Sequence, residues 1–224
     1  MKIGIVGITG RIGSLLLKII PDAEKNGGIS SITSSEKLIE VVGSSDVLID
    51  FSTPSCTLNV MAVASTSKVP IISGTTGFSE KDFKRVREFS QIIPLLHSSN
   101  FSVCIHLMAI FIDRCANILS DFDFSIIEKH HRRKKDSPSG TALFLAKQTS
   151  KNAQIVSLRE GNIFGEHTCD FAGENEILSM THHVFNPEVF ATGALACARW
   201  IMGKPPGLYS MRDYLESSKE GKNY

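Results

Sequence analysis

The chain has 224 residues, 42% hydrophobic and 21% charged, with 24 Lys plus Arg against 23 Asp plus Glu. At roughly 100 to 200 residues per domain this length holds one large domain or two small ones, and a net charge of +1 argues against a surface given over to nucleic acid or membrane, which would need a strong basic excess. No apolar run approaches the ~18 residues of a membrane span, Met1-Lys2-Ile3-Gly4 has no signal-peptide layout, and five cysteines without Cys-x-x-Cys spacing point to a reduced, cytoplasmic chain with no metal centre.

From Lys2 to about Phe101, short apolar runs alternate with longer amphipathic ones, the pattern of βαβ units and a parallel sheet. Lys2 to Ile8 reads as a first strand, and Arg11 to Ile20 as a helix stopped by Pro21. Further strands are expected at Gly28 to Thr33, Asp46 to Phe51, Val69 to Ser73 and Ile92 to His97, with helices at Ser55 to Ser67 and Ser79 to Phe89. Beyond Asn100 the texture changes. A long helix over Ser102 to Ser120 precedes runs of two-residue alternation at Phe122 to Ile126, His167 to Phe171 and Leu178 to Met180, which read as strands with one packed face. A last helix spans Phe190 to Met202, before Pro205-Pro206.

Gly7, Gly10 and Gly13 lie at G-x-x-G-x-x-G spacing between the first strand and the first helix. Glycine permits unusual φ values, and bare backbone lets N–H groups approach a pyrophosphate at a positive helix N-terminus. The competing reading is a tight turn that needs glycine only for packing. Such sites often carry an acidic residue at the end of the second strand for the adenosine ribose. Here Ser31 to Ser35 is hydroxyl-rich, Glu36 comes late, and Lys37 suits a 2′-phosphate, so NADH and NADPH are both expected to be accepted.

The densest chemistry is Glu128-Lys129-His130-His131-Arg132-Arg133-Lys134-Lys135-Asp136-Ser137-Pro138-Ser139-Gly140-Thr141-Ala142, between a strand (Phe122 to Glu128) and a helix (about Ser139 to Thr149). Pro138 suits a first helical turn, leaving the N–H groups of Gly140 and Thr141 to point outward. The box fits a small anion with more than one carboxylate, with His130 trading a proton near neutral pH and Lys134 as an ammonium donor. A solvated charged loop and a nucleic-acid contact are the alternatives; the Ser-Gly-Thr helix start weighs against the first, and the lack of interleaved aromatics against single strands. Gly74-Thr75-Thr76-Gly77, Ser98-Ser99-Asn100-Phe101 and Asp50 to Pro54 follow strands, where open α/β sheets bind ligands. His182-His183 alternate sides of a strand and read as structural.

Together these residues resemble the 4-hydroxy-tetrahydrodipicolinate (dihydrodipicolinate) reductases of lysine and diaminopimelate biosynthesis, whose box is similar to E-x-H-H-x-x-K-x-D-x-P-S-G-T-A. The resemblance extends over Gly7 to Gly13, Asp50 to Pro54, Gly74 to Phe78, Asn100 to Val103, Arg159 to His167, Phe190 to Ala194 and Met211 to Asp213. It implies an α/β chain with a Rossmann-type parallel-sheet dinucleotide-binding domain, 1–101 with 191–224. An inserted α+β domain with a mixed, open-faced sheet, 102–190, would bind a small dicarboxylate and build a homotetramer. His130 and Lys134 would be the catalytic proton donors, and His131, Gly140 and Thr141 would hold substrate carboxylate. Gly7, Ile8, Thr9, Gly10, Arg11, Ile12, Gly74, Thr75, Thr76, Ser98, Ser99, Asn100 and Phe101 would line NADPH or NADH. The implied reaction reduces 4-hydroxy-tetrahydrodipicolinate to tetrahydrodipicolinate with loss of water. The chain departs from the pattern at the strand-two acid, at Cys104, in a short Thr149 to Arg159 stretch and at His183 to Asn186. Two other readings are kept: a semialdehyde dehydrogenase, for which no activated cysteine is identifiable, and a non-catalytic dinucleotide sensor, for which the basic box would be dispensable.

Overall fold

The computed structural model describes residues 1–30 and 34–217, and divides into two compact units: Met1–Phe101 with the chain from Glu188 onward, and Ser102–Pro187. In chain order the first unit contributes β1 (Ile3–Val6), α1 (Arg11–Ile19), β2 (Lys25–Ile29), α2 (Ser35–Gly43), β3 (Val47–Asp50), α3 (Pro54–Ser67), β4 (Ile71–Ser73), α4 (Glu80–Ser90) and β5 (Pro94–His97). The second unit holds α5 (Val103–Ile118), β6 (Asp123–His130), α6 (Gly140–Ala146), β7 (Gln154–Arg159), β8 (Glu166–Ala172) and β9 (Ile177–His183). The chain then returns with α7 (Glu188–Ile201), β10 (Gly207–Tyr209) and α8 (Met211–Ser217).

The first unit is an all-parallel sheet in the order β10-β5-β4-β3-β1-β2. β1, β3 and β4 are buried along their whole length, as expected for short Val/Ile/Leu runs covered on both faces. Val6, Leu48, Ile71 and Leu95 from the strands meet Leu58, Met61 and Val86 from the helices in one apolar core. β1 has β2 on one side and β3 on the other, so the strand order reverses there, and the crevice beyond their carboxyl ends is where open α/β sheets bind ligands.

In the second unit β6 lies between parallel β7 and antiparallel β8, and β9 closes the edge. Alternation on β6 buries Phe124, Ile126, Glu128 and His130 on one face. Phe124 and Ile126 join Cys169 and Phe171 of β8 against Ile105, Met108 and Ile112 of α5 and Ala142 and Leu145 of α6. The opposite face carries Lys129, Glu166, Thr168 and Thr181, linked in pairs at 2.7 Å (Lys129 Nζ to Glu166) and 3.0 Å (Thr168 to Thr181).

Several expectations shift. The second strand runs over Lys25–Ile29 rather than Gly28 to Thr33, residues 31–33 lying outside the described residues. Its pairing with β1 changes register at Gly27, which has φ +122°, a conformation only glycine takes without strain. α6 covers Gly140–Ala146 rather than reaching Thr149, and Pro138 stands outside it, because Ser139 is the cap and accepts from Ala142 N–H at 3.1 Å. α2, β7, β10 and α8 appear where no element was expected, and α7 spans Glu188–Ile201 where a helix over Phe190 to Met202 was expected.

Candidate active site

The glycine turn is shaped by contacts that a side chain would block. Gly7 has φ +83°, and a Cβ there would sit 2.4 Å from Phe51 O; at Gly13 it would sit 2.1 Å from Gly7 O. The Gly10 N–H donates to Gly7 O at 2.9 Å, and Gly10 caps α1 with no side-chain acceptor. The α1 N-terminus is therefore backbone alone, the arrangement that suits a pyrophosphate. Thr9 and Arg11 are exposed beside it, and Ile8 and Ile12 are half-buried.

Loops from β3, β4 and β5 join this turn through Phe51, a member of the Asp50 to Pro54 stretch expected beside a ligand. A Cβ on Gly74 would lie 2.1 Å from the Phe51 ring, and Phe101 meets the same ring edge-on at 5.5 Å. Thr75 is buried under the crevice, its Oγ1 2.9 Å from Thr57 Oγ1 and accepting from Ser52 N–H at 3.1 Å, while Thr76 is exposed. Ser98 N–H donates to Ser73 O at 3.1 Å and Asn100 N–H to Ser98 Oγ at 3.3 Å; Ser99 is exposed. Beneath them Asp50 is fully buried. Burial pushes its pKa up, against hydrogen bonds from Ser52, Thr57 and Thr75. The dinucleotide residues expected from the sequence thus gather along the carboxyl edge of one sheet, and the bare, crowded turn fits a nicotinamide dinucleotide.

In the second unit, β6 delivers Glu128 and His130 to the inner face, and His130 Nδ1 is hydrogen-bonded to Glu128 Oε2. Arg159, at the end of β7, donates to both Glu128 oxygens, Nη1 to Oε2 at 3.1 Å and Nη2 to Oε1 at 2.8 Å. Ser139 N–H donates to Glu128 Oε1 at 3.2 Å. Burial opposes ionisation of Glu128, but the hydrogen bonds from Arg159, Ser157 and His130 outweigh it and hold the carboxyl at about 2. His130 is lowered by burial, with partial relief from Glu128. His167 of β8 approaches the His130 ring edge-on at 5.2 Å and meets Ser139 Oγ through Nε2 at 3.2 Å. Glu128, His130 and His167 are close enough to suggest a metal triad, yet a cation would have to displace the guanidinium that already occupies both carboxylate oxygens.

Past His130 the chain turns, with Lys134 N–H donating to His131 O at 3.0 Å. His131 Nδ1 is buried and has no partner among the described residues. Lys134 Nζ pairs with Asp136 Oδ1 at 2.9 Å, and this ion pair, opposed by burial and helped by the Gly140 backbone, lowers the Asp136 pKa. A carboxylate of the protein itself thus sits among Lys134 and the start of α6, the groups expected to receive a ligand carboxylate. Arg132 and Arg133 line a neighbouring cavity of about 410 Å³ with Gly161 and Asn162. The sequence reading assigned no task to Glu128, Arg159 or His167. The Glu-x-His spacing on a strand was the available signal for the first; the other two become neighbours only through sheet pairing. His182 and His183 separate as expected, His182 Nε2 lying 3.3 Å from Ser102 Oγ and His183 Nδ1 2.9 Å from Glu166.

The family model described as dihydrodipicolinate reductase, N-terminus, matches residues 1–101, and that described as dihydrodipicolinate reductase, C-terminus, matches residues 104–215. The chain belongs to the dihydrodipicolinate reductase family. The 4-hydroxy-tetrahydrodipicolinate reductase of Rickettsia rickettsii (strain Sheila Smith) is 35% identical over 234 residues, covering 95% of this chain and 98% of that protein. The enzyme of the same name from Anaplasma marginale (strain St. Maries) is 34% identical over 262 residues, covering 97% and 100%. Among solved structures, the dipicolinate-bound dihydrodipicolinate reductase from Paenisporosarcina sp. TG-14 shares the fold with a TM-score of 0.79 at 20% identity, over 94% of this chain and 97% of that one. As a dihydrodipicolinate reductase family member the chain is an NAD(P)H-dependent oxidoreductase with a small-molecule substrate. No helix among the described residues is long and apolar enough to cross a membrane.

Proposed function

We propose that this chain reduces 4-hydroxy-tetrahydrodipicolinate to tetrahydrodipicolinate with loss of water, in lysine and diaminopimelate biosynthesis, using either NADH or NADPH. The observation that carries the reading is the box that begins at the end of β6: a buried histidine on a carboxylate, an ammonium four residues later and a serine-capped helix start.

Bound reduced nicotinamide supplies the hydride. Gly7, Ile8, Thr9, Gly10, Arg11 and Ile12 hold its pyrophosphate side, and Gly74, Thr75, Thr76, Ser98, Ser99, Asn100 and Phe101 hold the remainder. His131 and the Gly140 and Thr141 amides bind substrate carboxylate; the orphaned His131 Nδ1 is in keeping with such a ligand. His130, with Nδ1 turned to Glu128, exchanges a proton at Nε2, and Lys134 delivers the second once substrate replaces Asp136 as its partner. Lys37 Nζ lies 3.2 Å from Glu40, a partner that balances its attraction for a 2′-phosphate and fits tolerance of both cofactors. The exposed Val156 and Ile177 on the outer face of the second sheet are in keeping with a homotetramer, and the assembly is expected in the cytoplasm.

The test follows NADH and NADPH oxidation with enzymatically generated substrate, comparing the native chain with His130→Gln and Lys134→Ala. Native turnover, reduced about 100-fold or more in each variant with cofactor binding retained, is the expected outcome. A native protein that consumes neither cofactor, or variants at full activity, would overturn the reading.

A further inference from the structure

In the reaction as set out above Glu128 touches neither substrate nor cofactor, yet its carboxylate is engaged at both oxygens. The residue is fully buried, with Oε2 used by His130 Nδ1 and Arg159, and Oε1 by Arg159 and Ser139 N–H. We propose that Glu128 is a positioning residue for His130, fixing the imidazole with its proton on Nδ1 so that Nε2 alone exchanges protons, and tying that ring to the carboxylate cradle at α6. The inference rests on the functional reading of His130.

Three observations support it. A neutral imidazole has one N–H and one bare nitrogen, so a hydrogen bond from Nδ1 to an ionised carboxylate selects the tautomer and the ring orientation together. Second, the charged and titratable groups around His130 come from every element that packs on it: Glu128 beside it on β6, Arg159 from β7, His167 from β8 and Lys134 from the following loop. Burial, Lys134 and Arg159 all disfavour a proton on His130, and Glu128 acts against them. Third, the same carboxylate accepts the N–H of Ser139, whose Oγ caps α6 through Ala142 N–H. A shift of Glu128 would move the proton donor and the amides of Gly140 and Thr141 together. An ion pair serving stability alone would need Arg159 but not the histidine.

The experiment measures kcat, KM and the pH profile of kcat/KM for the native enzyme, Glu128→Gln, Glu128→Asp, His130→Gln and the double variant Glu128→Gln/His130→Gln, with active sites counted by cofactor binding. For Glu128→Gln we expect kcat to fall about 100-fold with KM within about threefold. The alkaline fall-off should move down by about one pH unit, because protonated His130 has lost its anion. Glu128→Asp, which keeps the charge and the Arg159 partner, should recover part of both and carries the test if the Gln variant does not fold. The double variant should be no worse than His130→Gln alone, since the carboxylate acts through the ring. An active native enzyme that His130→Gln disables, but whose Glu128 variants keep kcat within threefold or leave the fall-off unmoved, would overturn this inference alone. An inactive native enzyme would overturn the functional reading and this inference with it.

Discussion

The second unit should lose stability in acid in large part through His167, whose folded pKa lies well below its ordinary value. It is 3% exposed, bonded through Nε2 to Ser139, and its Nδ1 has no partner among the described residues. Burial first, then the neighbouring His130, lower its pKa from 6.5 to about 3. A base whose folded pKa lies below its unfolded value is neutral in the fold and takes up its proton on unfolding. Its contribution is therefore complete above pH 6.5 and is lost as pH falls toward 3. At about 1.4 kcal/mol per pH unit, lowering the pH from about 7 to about 4 should cost about 3 kcal/mol. Amide hydrogen exchange of β6 and β8 at a series of pH values measures this locally. In His167→Gln, whose amide can still reach Ser139 but does not titrate, the acid loss should shrink by most of that amount, even if stability at neutral pH is about 1 kcal/mol lower. Equal acid slopes in the two proteins would refute the reasoning, because His167 would then titrate at similar pH in the folded and unfolded chains.

Other substitutions test other parts of the account. Gly13→Ala places a Cβ 2.1 Å from Gly7 O and should weaken NADH and NADPH binding at least about tenfold in a fluorescence titration; unchanged affinity would remove this turn from the cofactor site. Lys37→Glu should weaken NADPH binding more than NADH binding, and equal effects would exclude Lys37 from the ribose region. Phe124→Ala empties a position 4% exposed that packs on Phe171 at 4.7 Å. It should cost about 3 to 5 kcal/mol in urea unfolding, while activity per folded molecule stays within a few-fold of native.

What could be read from the sequence follows from how local each signal is. β1, β3 and β4 are short apolar runs closed by glycine, serine or aspartate, and pairing only adds to a preference already in the chain. β2 is the reverse case: Lys25-Asn26-Gly27-Gly28-Ile29 has little strand character, and its conformation comes from β1, with Gly28 lying where a Cβ would be 2.7 Å from Ile8. β10 is a three-residue strand held by β5, too short to carry a period. The box from Glu128 to Ala142 was legible because its helix start, histidines and lysine are contiguous. Arg159 and His167 were not, since they reach Glu128 and His130 only through the register of β7 and β8. The Asp50 to Pro54 stretch is legible as a strand-end loop, but the part Phe51 plays in joining the turns after β1, β4 and β5 is not, because it depends on packing between strands. Spacing along one strand does not disclose the contacts its neighbours make.

If His130 at the end of β6 and Lys134 just beyond it donate protons during reduction of a cyclic dicarboxylic imine, the identity of the product is the most direct test. Mass spectrometry of the reaction mixture, with enzymatically generated 4-hydroxy-tetrahydrodipicolinate and either cofactor, should find tetrahydrodipicolinate formed in step with cofactor oxidation by the native chain and not by His130→Gln. Absence of that product from the native reaction, or its formation at the native rate by His130→Gln, would contradict the account.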